Sequence, residues 1–354
     1  MTHSPHKRLG FITDAAKQGV RDHYRKLGHA PTQTPQVVPI TGACENVQTL
    51  YRLAGHHSLY LTQTGQLSLE VNLQNYDGVY CEGFSFRDDK SDDRHLNQFC
   101  LIEEEFTCRG IGISPKDDRA PYAMLSKLLE RVTNAVCAVL RGVLISSEAS
   151  GGADYSHVEE AVAATGQSRT WPRITYREVL DRLNNTGQFV PLAFGADLQP
   201  EHEQAVVSLV SADHGRSLLP VFVTHYPESI KFFNMKVDPE DRDVVLSADL
   251  LLPTAGEAVG AAVREDEHAS LVRRLESSSM LSHLVEAQGN DARRSFDKYL
   301  ALMASGRILP HAGYGIELER VLQFVLRSHD IRDVSESYQL ARQLVSQNEQ
   351  PFTL

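Results

Sequence analysis

The chain is short of cysteine, of basic charge and of long apolar runs, and each shortage removes a class of protein from consideration. Its five cysteines, Cys44, Cys81, Cys100, Cys108 and Cys137, are odd in number and never fall in a C-x-x-C spacing. They outline neither a disulfide framework nor a zinc knuckle, and read as buried thiols of a reducing cytoplasm. Lys and Arg number 35 against 46 Asp and Glu, a formal net charge of −11. That balance argues against broad, non-specific nucleic-acid binding, because affinity for phosphate rests on clustered cations; a local basic patch stays open. No segment approaches the roughly eighteen apolar residues of a membrane span, and the opening MTHSPHKRLGFITDAAKQGV has no apolar signal core. The expectation is a globular, cytoplasmic protein, for which 42% hydrophobic residues in a chain of 354 supply a substantial core. Also missing are G-x-x-x-x-G-K-[ST], H-E-x-x-H and G-x-S-x-G, so P-loop, zincin and α/β-hydrolase chemistry have no footing.

What is present is a change of period along the chain. Residues Thr13 to Leu27 read as a helix with Val20, Tyr24 and Leu27 on one face, stopped by Gly28. Between residues 36 and 108, SLYLTQTG alternates, GVYCEGFSF is aromatic and β-prone, and NQFCLIEEEF runs from apolar to acidic. Strands are predicted there, with one short helix near Gln66–Leu73. Leu125, Leu128, Leu129, Val132, Val136, Val139, Leu140 and Val143 mark a long amphipathic helix, and SSEASGGADYS after it opens an expected excursion around 146–170. WPRITYREVLDRL reads as a turn into a short helix, and LLPVFVTHY, FFNMKV, VVLSADLLLP and GEAVGAAVRE as strand candidates. Helical patterns follow near 266–280 and 291–305. Without a repeat of fixed period, the pattern predicts an α+β layer arrangement, an antiparallel sheet flanked by helices, and the length allows two or three average domains or one large mixed domain.

Polar residues on strands carry the chemistry. In GFSFRDDKSDDRHLNQFCLIEEEF, Arg87 ends one strand, a charged and mobile loop follows, and the returning strand carries His95, Phe99 and the acidic run Glu103, Glu104 and Glu105. An arginine rising from a sheet and faced by a ring and an acid can hold a nucleotide's α-phosphate, stack its base and bind its metal; a solvated hairpin with paired charges is the other reading. In HAGYGIELERVLQFVLR, Gly313 and Gly315 sit in a short strand that feeds a helix, with Arg320 one turn in. The glycines let a flat ligand or another backbone approach, and the guanidinium can reach a phosphate; a bend before a core helix is the alternative.

These stretches, in this order, resemble the catalytic domain of class II aminoacyl-tRNA synthetases, in particular their asparaginyl branch, which implies a single domain over residues 1–354. GFSFRDDKSDDRHLNQF resembles that family's motif 2, which implies Arg87 on the ATP α-phosphate and Phe99 stacked on adenine, with Asp89, Arg94 and His95 also in the nucleotide site. GYGIELERVLQFVLR resembles motif 3, which implies Arg320 on the γ-phosphate and space for adenosine over Gly313 and Gly315. The first helix and TPQVV, with Pro35, resemble motif 1, which implies a homodimer paired through that helix. CENVQTLYRL and LTQTGQLSLE resemble substrate-binding stretches, which implies Glu45 on the α-amino group and Gln66 beside the amino acid. Glu70 then stands where a carboxylate would receive an amide NH₂ and favour asparagine over aspartate. GEAVGAAVRED implies Glu257 at the ATP and Mg²⁺ position, with Glu104 as a second magnesium ligand, and Arg264 facing the amino acid.

Departures from the family pattern fall around the pocket. Glu317 stands where motif 3 has its third glycine, Gln98 where the returning strand has glutamate, and Gly260-Ala261-Ala262-Val263 where the pocket arginine follows Gly-Gly-Ser-Gln. Gln98 and Glu317 are therefore expected to shape an altered substrate site. The motif 1 region begins almost at Met1, so the anticodon-reading β-barrel of that branch is expected to be absent. The resemblance implies a ligase that uses ATP and Mg²⁺ to activate an asparagine- or aspartate-like amino acid as an acyl-adenylate. Ammonia, an amine or another small nucleophile is the expected acceptor. A tRNA ligase, or a catalytically silent binding paralogue, is the alternative; the hairpin tip, with four acids to two bases over residues 88–94, disfavours tRNA.

Overall fold

The computed structural model describes residues 5–39, 47–56, 59–146, 154–166, 168–216, 218–289 and 291–344. Helix α1 (Pro5–Lys26) leads into the short strands β1 (Ala30–Pro31), β2 (Val37–Val38) and β3 (Tyr60–Leu61), and helix α2 (Gln66–Asn72) follows. The hairpin strands β4 (Gly78–Phe86) and β5 (Gln98–Thr107) precede the long helix α3 (Ala120–Ile145). Next come α4 (Ser156–Ala164), β6 (Arg173–Thr175), α5 (Tyr176–Thr186), α6 (Pro200–Asp213) and β7 (Val221–Thr224). Strands β8 (Ser247–Leu252) and β9 (Gly256–Val263) form a second hairpin. Helices α7 (His268–Ser277), α8 (Ser279–Gln288), α9 (Asp291–Arg294) and α10 (Asp297–Ala304) come next, and β10 (His311–Glu317) feeds directly into α11 (Leu318–Leu326), with α12 (Glu336–Leu344) last.

Eight strands make the main sheet, in the order β1-β4-β5-β10-β9-β8-β7-β6. The six central strands pair antiparallel, as the hairpin pattern predicts, while β1 on β4 and β6 on β7 pair parallel at the two edges. The sheet is therefore mixed, with the cleft on its antiparallel centre.

One face of this sheet is covered by α1 and α3. Leu9, Ile12, Ala16, Val20 and Tyr24 of α1 are buried in the same core cluster as Leu128, Val132, Val136 and Leu140 of α3. The two helices cross with almost no gap, since a Cβ added at Gly19 would lie 2.2 Å from the Ala138 carbonyl oxygen and one at Gly142 would lie 2.2 Å from that of Ala15. The apolar face of α1 is thus packed within its own chain, against α3.

Other expectations shift for physical reasons. FFNMKV forms no strand; it is tied by the isolated bridges Met235–Arg264 and Val237–Val245. WPRITYREVLDRL holds strand β6 as well as α5, with Thr175 closing β6 and capping the helix in a reciprocal pair with Glu178. The segment read as an excursion returns to the core, where Val158, Ala161 and Trp171 are buried and the Trp171 indole donates to the Ala161 carbonyl at 2.8 Å.

Candidate active site

Period-two alternation along β5 divides its three consecutive glutamates between the two faces of the sheet. Glu103 and Glu105 point to the open face. Glu104 points to the helix-covered face with Ile102 and Phe106, where it meets Arg131, His29 (2.9 Å) and the Tyr314 hydroxyl. Arg131 lies over the Phe106 ring, 4.6 Å from its centroid. The surrounding cations hold the Glu104 carboxyl below its usual range despite burial. Glu104 is therefore no cleft ligand, which corrects its assignment to magnesium.

The open face carries a cleft of two joined compartments. The inner one, about 130 Å³, is lined by Thr64, Gln66, Glu103, Glu105, Arg264 and Gly315 among others. The outer one, about 530 Å³, is lined by Asp89, Arg94, His95, Phe99, Glu203 and Arg320 among others. Arg87, Lys231, Phe232, Glu257 and Glu317 border both, so the junction is rich in charge.

Arg87 leaves the end of β4 with its backbone still paired to Asn97 at 2.9 Å, and its guanidinium lies 5.0 Å from the centroid of the Phe99 ring. The hairpin tip beyond it, expected to be mobile, is tied down. The Asp92 carboxylate accepts from the backbones of Arg94 and His95 at 2.8 Å each, and the Ile331 backbone donates to the Asp93 carbonyl at 2.9 Å. Arg320 is buried and anchored, donating to the carbonyls of Ala255 (2.9 Å) and Arg94 (2.8 Å). Glu317 sits between the two arginines, 3.8 Å from Arg87 and 3.5 Å from Arg320.

Carboxylates crowd the opposite wall. Glu203 of α6 lies 3.5 Å from Arg94, and burial still pushes its carboxyl up to about 7. That pair fits only because Gly256, at φ +77°, has no Cβ; one placed there would lie 2.3 Å from the Glu203 carboxylate. Glu257 opens to the cleft from β9, and desolvation, then Asp249 and Glu203, raise its proton affinity well above the usual. Lys231 is paired with Asp249 at 2.7 Å. Among the described residues, no three such side chains converge as a ready metal site.

Deeper in, the Arg264 guanidinium donates to Glu105 at 2.6 and 3.0 Å. Among the described residues, the second oxygen of Glu105 is buried without a hydrogen-bond partner. Glu103 is held by the Thr64 hydroxyl and by the Gly65 backbone at 2.6 Å, fixing the entry to α2. Glu70 lies behind Gln66, fully buried, accepting from Gln66 at 2.6 Å and Tyr299 at 2.7 Å and facing His311 at 3.3 Å. Its carboxylate is already engaged and does not line the cleft, whereas that of Glu105 does. Gln98 lies outside the cleft lining at the outer end of β5, beside Phe86. Glu45 lies outside the described residues.

Gly313 of the motif 3 stretch also has a different use. A Cβ at Gly313 would come within 2.1 Å of the Glu105 carboxylate, so the missing side chain makes room for the Glu105–Arg264 pair rather than for adenosine. One at Gly315 would sit at ordinary distance, 3.4 Å, from Leu101. The sequence reading assigned no role to Asp249, Lys231 or Glu203. A signal for Asp249 was present, a single acid inside the otherwise apolar ADLLLP.

The family model for tRNA synthetases class II (D, K and N) matches residues 8–336, nearly the whole chain. The chain belongs to that family. Among class II synthetases it is 31% identical, over 91% of its length, to the asparagine–tRNA ligase of Pelotomaculum thermopropionicum, and 30% identical over 90% to that of Desulforamulus reducens. It spans 66% and 65% of those two proteins. Asparaginyl-tRNA synthetase from Pyrococcus horikoshii, solved with asparaginyl-adenylate, superposes with a TM-score of 0.72 at 27% identity, covering 94% of this chain and 68% of that one. The Entamoeba histolytica enzyme, at 23% identity and a TM-score of 0.69, shares the fold. Among the described residues no helix is long and apolar enough to cross a membrane.

Proposed function

We propose that this class II synthetase is an ATP-dependent ligase that activates an asparagine- or aspartate-like amino acid as an acyl-adenylate and passes it to ammonia or a small amine. The observation that carries the reading is the two-compartment cleft joined at Arg87. The inner compartment suits an amino acid, the outer one a triphosphate, and their junction is where carboxylate and α-phosphate would meet. Arg87 neutralises charge on the α-phosphate during in-line attack, and Arg320 holds the γ-phosphate. For a base to stack on Phe99, Arg87 moves off that ring toward the phosphate. Glu105 and Glu70 already surround Arg264, so a second substrate carboxylate is repelled there and a neutral amide is preferred.

A magnesium ion fits the outer wall. Burial and the nearby charge of Asp249 raise the proton affinity of Glu257 and Glu203, and a divalent cation bound there would relieve that repulsion. Such an ion would keep several waters and bind through one or two of these acids and the phosphates. There it would draw charge from the leaving pyrophosphate.

Transfer to tRNA is the second reading, favoured by the names of the matched relatives. Against it stands the acidic hairpin tip, Asp88 to Arg94, which would repel a phosphate strand. Amino-acid-dependent exchange of pyrophosphate into ATP across a panel of amino acids, followed by product analysis with tRNA and with amines, tests both readings. Exchange with asparagine is expected, and exchange with no amino acid would refute adenylation.

A further inference from the structure

We propose that Glu317 is the proton acceptor for a cationic amine in the transfer step, a catalytic residue that selects an amine over a hydroxyl as acceptor. The inference rests on the adenylation reading above and names the acceptor chemistry of the same site.

Position comes first. Glu317 borders both compartments, at the junction where Arg87 meets the α-phosphate, and the acyl carbon of the adenylate is bonded through oxygen to that phosphate. Of the two acids bordering both compartments, Glu257 is the one proposed above for magnesium, which leaves Glu317 for the acceptor. Glu317 makes only two long ion pairs among the described residues, 3.8 Å to Arg87 and 3.5 Å to Arg320, and its side chain is about a quarter exposed (26%). Phosphate oxygens bind guanidinium through shorter, paired hydrogen bonds. At the adenylate stage the α-phosphate therefore draws Arg87 off Glu317, while Arg320 stays anchored on the Ala255 and Arg94 carbonyls, and the Glu317 carboxylate is released on the side of the acyl carbon.

Chemistry then gives that carboxylate a task. A hydroxyl acceptor arrives neutral, and its proton can pass to the phosphate oxygen as it attacks. An alkylamine arrives at neutral pH as an ammonium ion with no lone pair. It needs an anion to bind its charge and remove one proton before attack. The motif 3 pattern has glycine here, with no side chain to do either, so Glu317 adds a group at the point where the two acceptor chemistries diverge.

The step balances as follows. Glu317 takes one proton from R–NH₃⁺; the freed nitrogen lone pair attacks the acyl carbon and a C–N bond forms. The carbonyl re-forms as the C–O bond to phosphate breaks, its electron pair leaving on AMP. A second proton passes from nitrogen to the departing phosphate or to water. Ammonium and acyl-adenylate become amide, AMP and two protons.

The test compares two nucleophiles on one enzyme. Adenylate is formed from ATP and asparagine, then challenged with methylammonium or with hydroxylamine, which is largely unprotonated at neutral pH. In Glu317→Gln and in Glu317→Gly, the ratio of methylamide to hydroxamate is expected to fall at least about tenfold below wild type, the lower end for loss of a general base being larger still. Because the ratio is taken within each enzyme, a loss of folded protein cancels. A ratio unchanged within twofold in both variants overturns the role of Glu317 and leaves adenylation standing. Wild-type adenylate that passes to tRNA and to neither amine does the same. If the wild type forms no adenylate, the proposed function fails and this inference falls with it.

Discussion

Replacing Gly313 by alanine tests the construction of the inner compartment. The new Cβ would stand 2.1 Å from the carboxyl carbon and one oxygen of Glu105 and 2.4 Å from the other, more than 1 Å inside contact distance. That carboxylate is the end of a flexible side chain, yet it cannot yield freely, because it is buried and receives both the Nε and Nη2 protons of Arg264. Moving it breaks a buried ion pair, at roughly 3–5 kcal/mol, while alanine's smaller unfolded-state entropy returns about 0.4–1 kcal/mol, so a net loss of about 2–4 kcal/mol is expected. Gly315→Ala is the control: its Cβ meets Leu101 and Glu103 at 3.4 and 3.5 Å, so no loss is expected and the entropy term stabilises by up to about 1 kcal/mol. Urea unfolding of the three proteins, followed by circular dichroism, reads both effects. Equal stabilities for Gly313→Ala and Gly315→Ala would refute the claim that Gly313 exists to seat Glu105.

Arg87→Ala and Arg320→Ala should each lower pyrophosphate exchange at least a hundredfold, since losing a preorganised charge at a reacting phosphate costs about 3 kcal/mol or more; near-normal exchange in either would remove it from the nucleotide site. Glu105→Gln should narrow the preference for asparagine over aspartate by at least about tenfold in kcat/KM, because one of the acids that repel a substrate carboxylate is gone; an unchanged ratio would clear Glu105 of that role. Burial raises the Glu319 carboxyl from 4.5 to about 7, so the folded protein binds a proton that the unfolded chain releases. That contribution is complete below pH 4.5 and is lost as pH rises through 7, by about 3 kcal/mol. Glu319→Gln should flatten the loss of stability between those pH values, and an identical slope in urea titrations would show that Glu319 does not titrate there.

Much of this was legible in the chain. The hairpin β4–β5, the long helix α3 and the strand-to-helix passage at His311 follow from period and composition alone. Residues that act through the pleat were not. Glu103, Glu104 and Glu105 look like one acidic cluster in a string of letters, yet alternation sends the middle one to Arg131 and His29 behind the sheet. Gly313 advertises space without saying what fills it, and the answer is Glu105, a side chain more than two hundred positions earlier. Glu70 sits at a recognisable place, but its engagement by Gln66, Tyr299 and His311 arises only when β10 and α10 close over α2. The apolar stripe of α1 is equally mute about its partner, which proves to be α3.

Three identical residues in a row on β5 leave its alignment undeclared by charge. Slide the strand by one position and a glutamate still faces the cleft while another still faces Arg131, so the acids do not penalise the error. Ile102 and Phe106 would resist, and so would one peg. The Cys100 amide, just beyond the last pairing of β5 with β10, is gripped by both oxygens of Glu319 at 2.9 and 3.1 Å. That carboxylate works as an indexing pin: it locks the start of β5 to the first turn of α11, the turn that carries Arg320. Residues added or lost in the hairpin tip would then be absorbed as slack outside the pin, leaving Arg87 and Arg320 in step.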